Sequence, residues 1–454
     1  MVVIDLFSGA GGLTEGFFRE GFKIIAHVEK ERWACETLKT RICYHFLEKK
    51  KRLDLYYDYL NQVEHYEKID EGRKIIFNEF PELKEKIETE VLNKTFGENE
   101  DLGETPVHSI IPDIEKSMEL NNVTDIDVII GGPPCQAYSL IGRGRMKSSV
   151  EDDNRNYLFR YYKEIVMHFK PKIFIFENVP GIITAKGGEI FPAIKREFEE
   201  INYVLRSGPS IDDKENILEA RKFGVYQSRK RVILFGYCKD IGQLEYPDFY
   251  SYTVFKPCEE MSTKNAIGDL PALKHNSGND FLPQKYPQVS EKTLSEYQKL
   301  LRDKNVGAIN HKSRKHSDRD LEIYKLAIEK AKKNIQLRYC ELEQGLKTHK
   351  NEKSFEDRFK VHRKDSLPHT IVAHMSKDGH YNIHYDKKQC RSLTVREAAR
   401  IQSFPDNYKF EGPRTWQYVQ VGNAVPPLMS QAIARAVWDI LRRIKDASNF
   451  GEIK

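Results

Sequence analysis

Short apolar runs that end in glycine, proline or an acidic residue punctuate the first half of the chain. Val2 to Phe7, Phe22 to Val28, Asp127 to Ile130 and Lys172 to Phe176 are the clearest. Runs of this kind predict buried strands entering tight loops. Leu13 to Glu20 predicts a helix after the first strand. Leu158 to about Lys170 predicts another, opened by Asn154-Arg155-Asn156-Tyr157. Strands alternating with helices predict an α/β, doubly wound, Rossmann-like sheet. Such sheets collect ligands at the carboxyl ends of their strands.

Four strand ends carry candidate chemistry. Ser8-Gly9-Ala10-Gly11-Gly12 joins the first strand to its helix. Glycines let a ligand approach the backbone, and the helix N-terminus adds amide donors. The Gly-x-Gly-Gly spacing is not the dinucleotide fingerprint, which disfavours a dehydrogenase. Glu29 closes the second strand, where a carboxylate can accept from two ribose hydroxyls. These features point to a nucleoside-type ligand without choosing among nucleosides. Further on, Gly131-Gly132-Pro133-Pro134-Cys135-Gln136-Ala137-Tyr138-Ser139 leaves the third run, and Glu177-Asn178-Val179-Pro180 leaves the fourth. Taken singly, a cysteine is more often a small buried hydrophobe and a glutamate a solvated loop residue. A thiol and a carboxylate at neighbouring strand ends make a nucleophile and acid pair.

The pattern changes elsewhere. Between Glu29 and Asp113 the chain is charged and tyrosine-rich. Phe46 to Tyr66 and Pro81 to Lys94 predict an inserted helical hairpin within about 41–105, with Asn99 to Gly103 as a polar linker. After Gly236, Pro247, Pro257, Pro271, Pro283 and Pro287 break the chain into short elements. Ser317 to Lys350 contains a long amphipathic helix pattern, with Leu321, Tyr324, Ala327, Ile328 and Ala331 on one stripe, and Leu428 to Lys445 predicts a final helix with an apolar stripe. The expected organisation is one domain of 1–240 with 415–454, and a second, smaller one of 241–414.

Composition narrows this modestly. The chain has 454 residues and a formal charge of +5, compatible with a polyanionic partner. Seven cysteines without a Cys-x-x-Cys pair argue against a disulfide framework or a metal site. No signal peptide and no apolar run of about 18 residues is visible, so no membrane span is expected. A cytoplasmic, nucleoid-associated monomer follows as the expectation.

Six blocks then stand in one order: Asp5-Leu6-Phe7-Ser8-Gly9-Ala10-Gly11-Gly12, Pro134-Cys135-Gln136, Glu177-Asn178-Val179, Gln227-Ser228-Arg229-Lys230-Arg231, Arg391 to Arg400, and Gly422-Asn423-Ala424-Val425-Pro426-Pro427. Any one is weak. Together they make the chain resemble the DNA cytosine-5 methyltransferases of bacterial type. The resemblance implies S-adenosyl-L-methionine as methyl donor. Its implied holders are Phe7, Ser8, Gly9, Gly11, Gly12, Glu29, Asp113, Ile114, Pro134, Leu158 and Asn423. Lys30 departs from relatives that carry an aromatic residue beside the adenine.

The resemblance also implies the reaction. Cytosine C5 is a poor nucleophile, and a thiolate adding at C6 converts the ring to an enamine. Cys135 fits that role, and Glu177 fits a proton donor at N3. Arg229 and Arg231 are catalytic candidates for contacts to the base and backbone, Arg229 the better placed by family position. A base in a duplex must be flipped out to reach such a site. Gln136, Ser139, Arg143, Arg145, Arg155 and Gln227 are expected DNA contacts near the target. Leu140 to Lys147 reads as a closing lid. Lys312, Arg314 and Lys315 are expected phosphate contacts in the variable recognition region. The expected partners are double-stranded DNA and a cognate restriction endonuclease. An RNA cytosine-5 methyltransferase and a catalytically silent DNA-binding relative are the rival readings.

Overall fold

The computed structural model describes residues 1–133, 158–208, 217–347 and 356–449, apart from the side chains of Lys186, Ser448 and Asn449. The chain begins with β1 (Val2–Leu6), α1 (Gly12–Arg19) and β2 (Lys23–Glu29). Four helices follow: α2 (Arg32–Lys50), α3 (Leu53–Gln62), α4 (Ile69–Glu79) and α5 (Pro81–Glu90). Then come β3 (Val91–Asn93), α6 (Val107–Leu120), β4 (Val128–Gly131), α7 (Leu158–Phe169), β5 (Ile173–Asn178), α8 (Ile190–Glu199), β6 (Tyr203–Arg206), β7 (Ile217–Glu219) and β8 (Lys230–Cys238).

These strands form one mixed sheet in the order β3-β2-β1-β4-β5-β8-β6, with β7 also paired to β8. β3 to β5 are parallel along that path, whereas β8 runs antiparallel to β5, β6 and β7. β1 and β4 are neighbours whose crossovers leave in opposite directions. Their carboxyl ends therefore open the crevice in which doubly wound folds bind ligands. The central strands are apolar on both faces because helices cover both, and Val3, Ile4, Val128, Ile129, Ile173 and Phe174 are all fully buried.

The insertion is a bundle of four helices, not a hairpin. Lys51, in a left-handed conformation, ends α2 where the apolar pattern predicted continuity. Pro81 at the first helical position separates α4 from α5. The predicted end at Lys94 is also corrected: α5 stops at Glu90 because Val91–Asn93 pairs with His27–Glu29 as the sheet edge.

The rest of the chain supplies α9 (Thr263–Ile267), β9 (Gly278–Asn279), α10 (Glu296–Leu301), β10 (His311–Lys312), α11 (Asp318–Lys332), α12 (Val395–Ile401), α13 (Arg414–Asn423) and α14 (Pro427–Asn449). α11 starts at a Ser317–Asp320 capping box. It ends at Lys332, just past the last residue of the apolar stripe, Ala331; Asn334 then takes a left-handed turn and Leu337 and Tyr339 fold back into a small core with Ile323 and Tyr324. The largest apolar core crosses the expected borders at 241 and 414. It joins Val3, Phe17 and Ile175 to Ala266, Tyr297, Leu393 and Phe404.

Candidate active site

The strand ends surround a cavity of about 1910 Å³. Its walls include the glycine turn, Glu29, Lys94 to Asp101, Pro133, Leu158, Glu177 to Val179, Arg229, Arg231, Thr370, Val372 to His374, Ser376, Lys377, Trp416, Val419, Gln420 and Gly422 to Val425.

At one end, Phe7, Ser8, Gly9 and Gly12 line the wall with Glu29. Phe7 has φ 54, an uncommon value for a non-glycine residue. Its ring packs on Phe96 with centroids 4.9 Å apart, and Phe96 stacks on Tyr161 at 6.1 Å. The Gly9 amide donates to Glu29 Oε2 and the Glu31 amide to Glu29 Oε1, each at 2.8 Å. Burial raises the Glu29 carboxyl, and these amides oppose the rise. A side chain on Gly12 would strike the Val425 carbonyl at 2.3 Å. Its absence lets the Asn423–Val425 segment close on the turn. Leu158 and Asn423 line the same cavity.

Three cofactor assignments change. Gly11 lies behind the wall: it caps α1 at φ 78, and an added Cβ would meet Leu38 at 2.8 Å. Asp113 and Ile114 lie outside the cavity, on α6. Asp113 pairs with Lys94 at 3.4 Å and Ile114 is fully buried in the core. The physical reason is that the third strand ends at Asn93, so Lys94, Thr95 and Phe96 occupy the position beside Glu29. Sequence reading missed this segment because a three-residue edge strand carries no readable periodicity. Asp5 was missed as a wall residue. Thr14 donates to its Oδ2, its Oδ1 is buried without a hydrogen bond, and burial pushes its carboxyl up to about 8.

At the other end, β4 and β5 bring Gly131, Gly132 and Pro133 beside Glu177 and Asn178. Gly131 pairs with Phe176. A Cβ on Gly132 would lie 2.7 Å from Glu177 Oε2. Asn178 Nδ2 donates to the Pro133 carbonyl at 3.2 Å. The chain therefore leaves toward residue 134 directly beside Glu177. Pro134, Cys135, Gln136, Ser139, Arg143, Arg145 and Arg155, with the expected lid, lie outside the described residues.

The two arginines have different surroundings. Arg231 Nε sits 2.5 Å from Glu177 Oε1 as an ion pair on the cavity wall. Arg229 is 1% exposed; Nη1 donates to the Ile371 carbonyl at 2.7 Å and Nη2 to that of Gly422 at 3.1 Å. Burial pushes the Arg229 guanidinium well down, with Arg231 adding repulsion. Both arginines line the cavity: Arg229 gives one donor from each terminal nitrogen to a backbone carbonyl, whereas Arg231 faces the carboxylate.

Two expected DNA contacts are likewise corrected. Gln227 is fully buried, between Ile371 and Gln402. Arg314 donates to the carbonyls of Met375, Ser376 and Lys377 at 2.5, 3.1 and 2.8 Å, and stacks over Tyr418. Lys312 lies 3.8 Å from Asp280, while Lys315 is exposed.

A profile of the C-5 cytosine-specific DNA methylases matches residues 1–63 and 83–439. The chain is 55% identical over 443 residues to the type II methyltransferase M.Bpa9945I of Bacillus paralicheniformis, covering 97% of this chain and 99% of that one. It is 29% identical over 438 residues to M1.HphI of Haemophilus parahaemolyticus, covering 96% and 86%. In fold it is similar to a putative DNA modification methyltransferase encoded within a prophage in E. coli, with a TM-score of 0.59, 22% identity, and 97% and 99% coverage. A doubly wound methyltransferase sheet and a strand-end cavity thus go with a profile match along nearly the whole chain. The protein belongs to the C-5 cytosine-specific DNA methylase family and is an enzyme of the DNA (cytosine-5-)-methyltransferase class.

Proposed function

We propose that this enzyme transfers a methyl group from S-adenosylmethionine to C5 of cytosine within one specific duplex DNA sequence. The observation that carries the proposal is a shared cavity. Glu177, Arg231 and the Pro133 end of the cysteine loop line the same space as the glycine turn and Glu29.

The residues present fit the cofactor. Glu29 uses its two oxygens on one amide each and keeps lone pairs free for hydroxyl donors. Gly9 leaves open space where a side chain would stand. Phe7, Ser8, Gly9, Gly12, Glu29, Leu158 and Asn423 would hold it, with Pro134 from the loop. When bound, S-adenosylmethionine supplies an electrophilic methyl group.

The chain's own residues do the rest. The Cys135 thiolate adds to C6, and the ring electrons move toward N3 and C5. Glu177 meets N3 and delivers a proton there, and Arg231 fixes the orientation of Glu177. After C5 has gained the methyl group, water takes the C5 proton, the freed electron pair re-forms the C5–C6 double bond and expels the Cys135 thiolate, and N3 returns its proton to Glu177, which restores the aromatic ring. The target base is flipped out of the duplex to enter this cavity. Residues 1–240 with 415–454 carry the chemistry, and 241–414 read the DNA. The monomer acts on DNA in the cytoplasm, paired with a cognate restriction endonuclease; the type II names of relatives support that pairing.

Bisulfite sequencing of DNA from cells expressing the chain tests the reading. Protected cytosines in one sequence context are expected, and none with Cys135→Ser. Full conversion of all cytosines with wild type overturns it.

A further inference from the structure

Two buried glutamines connect the expected recognition region to the cofactor wall. The Ile371 amide donates to Gln227 Oε1 at 3.0 Å. Gln227 Nε2 donates to Gln402 Oε1. Gln402 Nε2 donates to the Val421 carbonyl at 2.8 Å. Gln227, Gln402, Ile371 and Val421 are each fully buried. Ile371 lies between Thr370 and Val372, which line the cavity, and Val421 lies two residues before Asn423, which lines it too. We propose that Gln227 and Gln402 form an amide relay that couples DNA engagement by residues 370–377 to the fit of the cofactor wall at 421–425. The proposal rests on the function proposed above.

The directionality supports a relay rather than packing. An amide has a donor end and an acceptor end, so each link fixes the orientation of the next. The links also polarise one another in a low-dielectric interior. A displacement of Ile371 strands a buried amide unless Gln227, Gln402 and Val421 follow. A buried amide left without its partner destabilises the fold, so the links move together. The two ends are held together a second way. Arg229 donates to both Ile371 and Gly422 carbonyls. A Cβ on Gly422 would lie 2.2 Å from the Ala373 nitrogen, so the segments touch closely. Segments so joined shift as a unit, and coupling between two ligands that bias one unit is reciprocal. Gln227 and Gln402 are positioning residues here, since neither reaches substrate.

The test measures S-adenosylhomocysteine affinity by equilibrium dialysis, alone and with unmethylated plasmid fragments. In wild type, DNA should tighten binding by roughly 5- to 100-fold, the usual range of site coupling. In Gln402→Met and Gln227→Met the affinity without DNA should stay within about 2-fold, while tightening by DNA falls to less than about half of its wild-type factor, the Arg229 link remaining. Thermal melting confirms that the variants fold. If they do not, hydrogen exchange on wild type decides: S-adenosylhomocysteine alone should slow exchange in the peptide containing Ile371. Tightening left at its wild-type factor by both substitutions, no tightening in wild type, or an unchanged Ile371 peptide overturns the relay. Failure of wild type to bind S-adenosylhomocysteine at all overturns instead the proposed function.

Discussion

Arg231 Nε and Glu177 Oε1 are 2.5 Å apart, on side chains 11% and 12% exposed. The pair bridges β5 and β8, which run antiparallel, with Glu177 opposite Ile233 and Asn178 opposite Val232. An alternating strand puts Arg231 and Ile233 on one face. Arg229 shares that face by the same rule, yet it lies before β8 begins, where the chain turns toward Ile371 and Gly422. Spacing in the sequence makes the two arginines look equivalent, and the strand boundary separates their surroundings.

That separation gives the first prediction. Glu177→Gln keeps the shape of the side chain and loses the ionisable acid on which the proposed mechanism relies, so turnover should fall by roughly 10²–10⁴-fold. Arg231→Lys keeps the charge and loses the planar fork, and should also lower turnover, while affinity for S-adenosylhomocysteine stays unchanged. Single-turnover methyl transfer checks both. Turnover within a factor of two for Glu177→Gln removes it from the mechanism.

The second prediction concerns the back of the glycine turn. Glu15 on α1 is fully buried and accepts from Arg41 at 2.6 and 2.9 Å, from Arg19 at 2.9 Å and lies 3.0 Å from His45. Burial alone would raise its carboxyl; Arg41, His45 and Arg19 outweigh burial and hold it well below the usual range. Arg41 also donates to Asn407, which in turn donates to Tyr44 and Asp303. Glu15→Gln strands the buried Arg41, and removing one partner of such a pair costs about 3–5 kcal/mol. Urea unfolding should show that loss. A change below about 1 kcal/mol would mean that water compensates Arg41.

Much of the first half was legible because its signals are local. β1, β2, β4 and β5 are short apolar runs with abrupt ends, and the turn chemistry at Gly9 and Gly131 marks where they stop. The insertion was harder. Its core of Tyr44, Leu47, Tyr56 and Tyr59 also takes in Val306 and Ile309, far along the chain. Which of its helices face which neighbour is set by that distant contact, so periodicity showed helices without their breaks. Gln227 and Arg314 misled for a related reason. A polar side chain in a basic or motif-rich run reads as a surface contact. Here each is held inward by carbonyls or amides contributed from residues 371–377, which no local pattern reveals.

Buried histidines give the third prediction, on acid stability. Burial lowers His27 and His384 to about 3 and His311 and His362 to about 4. The unfolded value is about 6.5. As pH falls below about 6.5 the unfolded chain takes up protons that the folded chain refuses, so stability falls progressively toward pH 4. Carboxyls held low, such as Glu15 and Glu397, contribute their loss further down, below about 4.5. Asp5, raised to about 8, acts oppositely and favours the folded state as pH falls from about 8. The histidine signature is therefore read as a difference. Melting temperature between pH 7 and 5 should fall less steeply in His362→Gln than in wild type. Equal slopes would show that His362 does not set this limb.

The last prediction separates two neighbours in one basic run. Arg314 spends its guanidinium on three successive carbonyls, Met375 to Lys377, and its face on Tyr418 at 4.4 Å. Ser376 and Lys377 line the cavity. Arg314 thus shapes this edge of the cavity and has little left for phosphate. Lys315 is exposed beside it. Each phosphate neutralised by a side chain adds about 0.9 to the slope of log affinity against log salt. Lys315→Ala should therefore reduce the slope by up to about 0.9 and weaken all duplexes alike. Arg314→Ala should leave the slope unchanged, lower the melting temperature and weaken discrimination between the methylated-context duplex and a scrambled one. Arg314→Lys should not restore discrimination, because an ammonium cannot span three carbonyls in the fixed geometry of the fork. Titrations of both duplexes over a salt series, with the three variants and wild type, give the comparison. A slope lowered by about 0.9 in Arg314→Ala would put Arg314 on a phosphate and take the carbonyl clamp out of recognition.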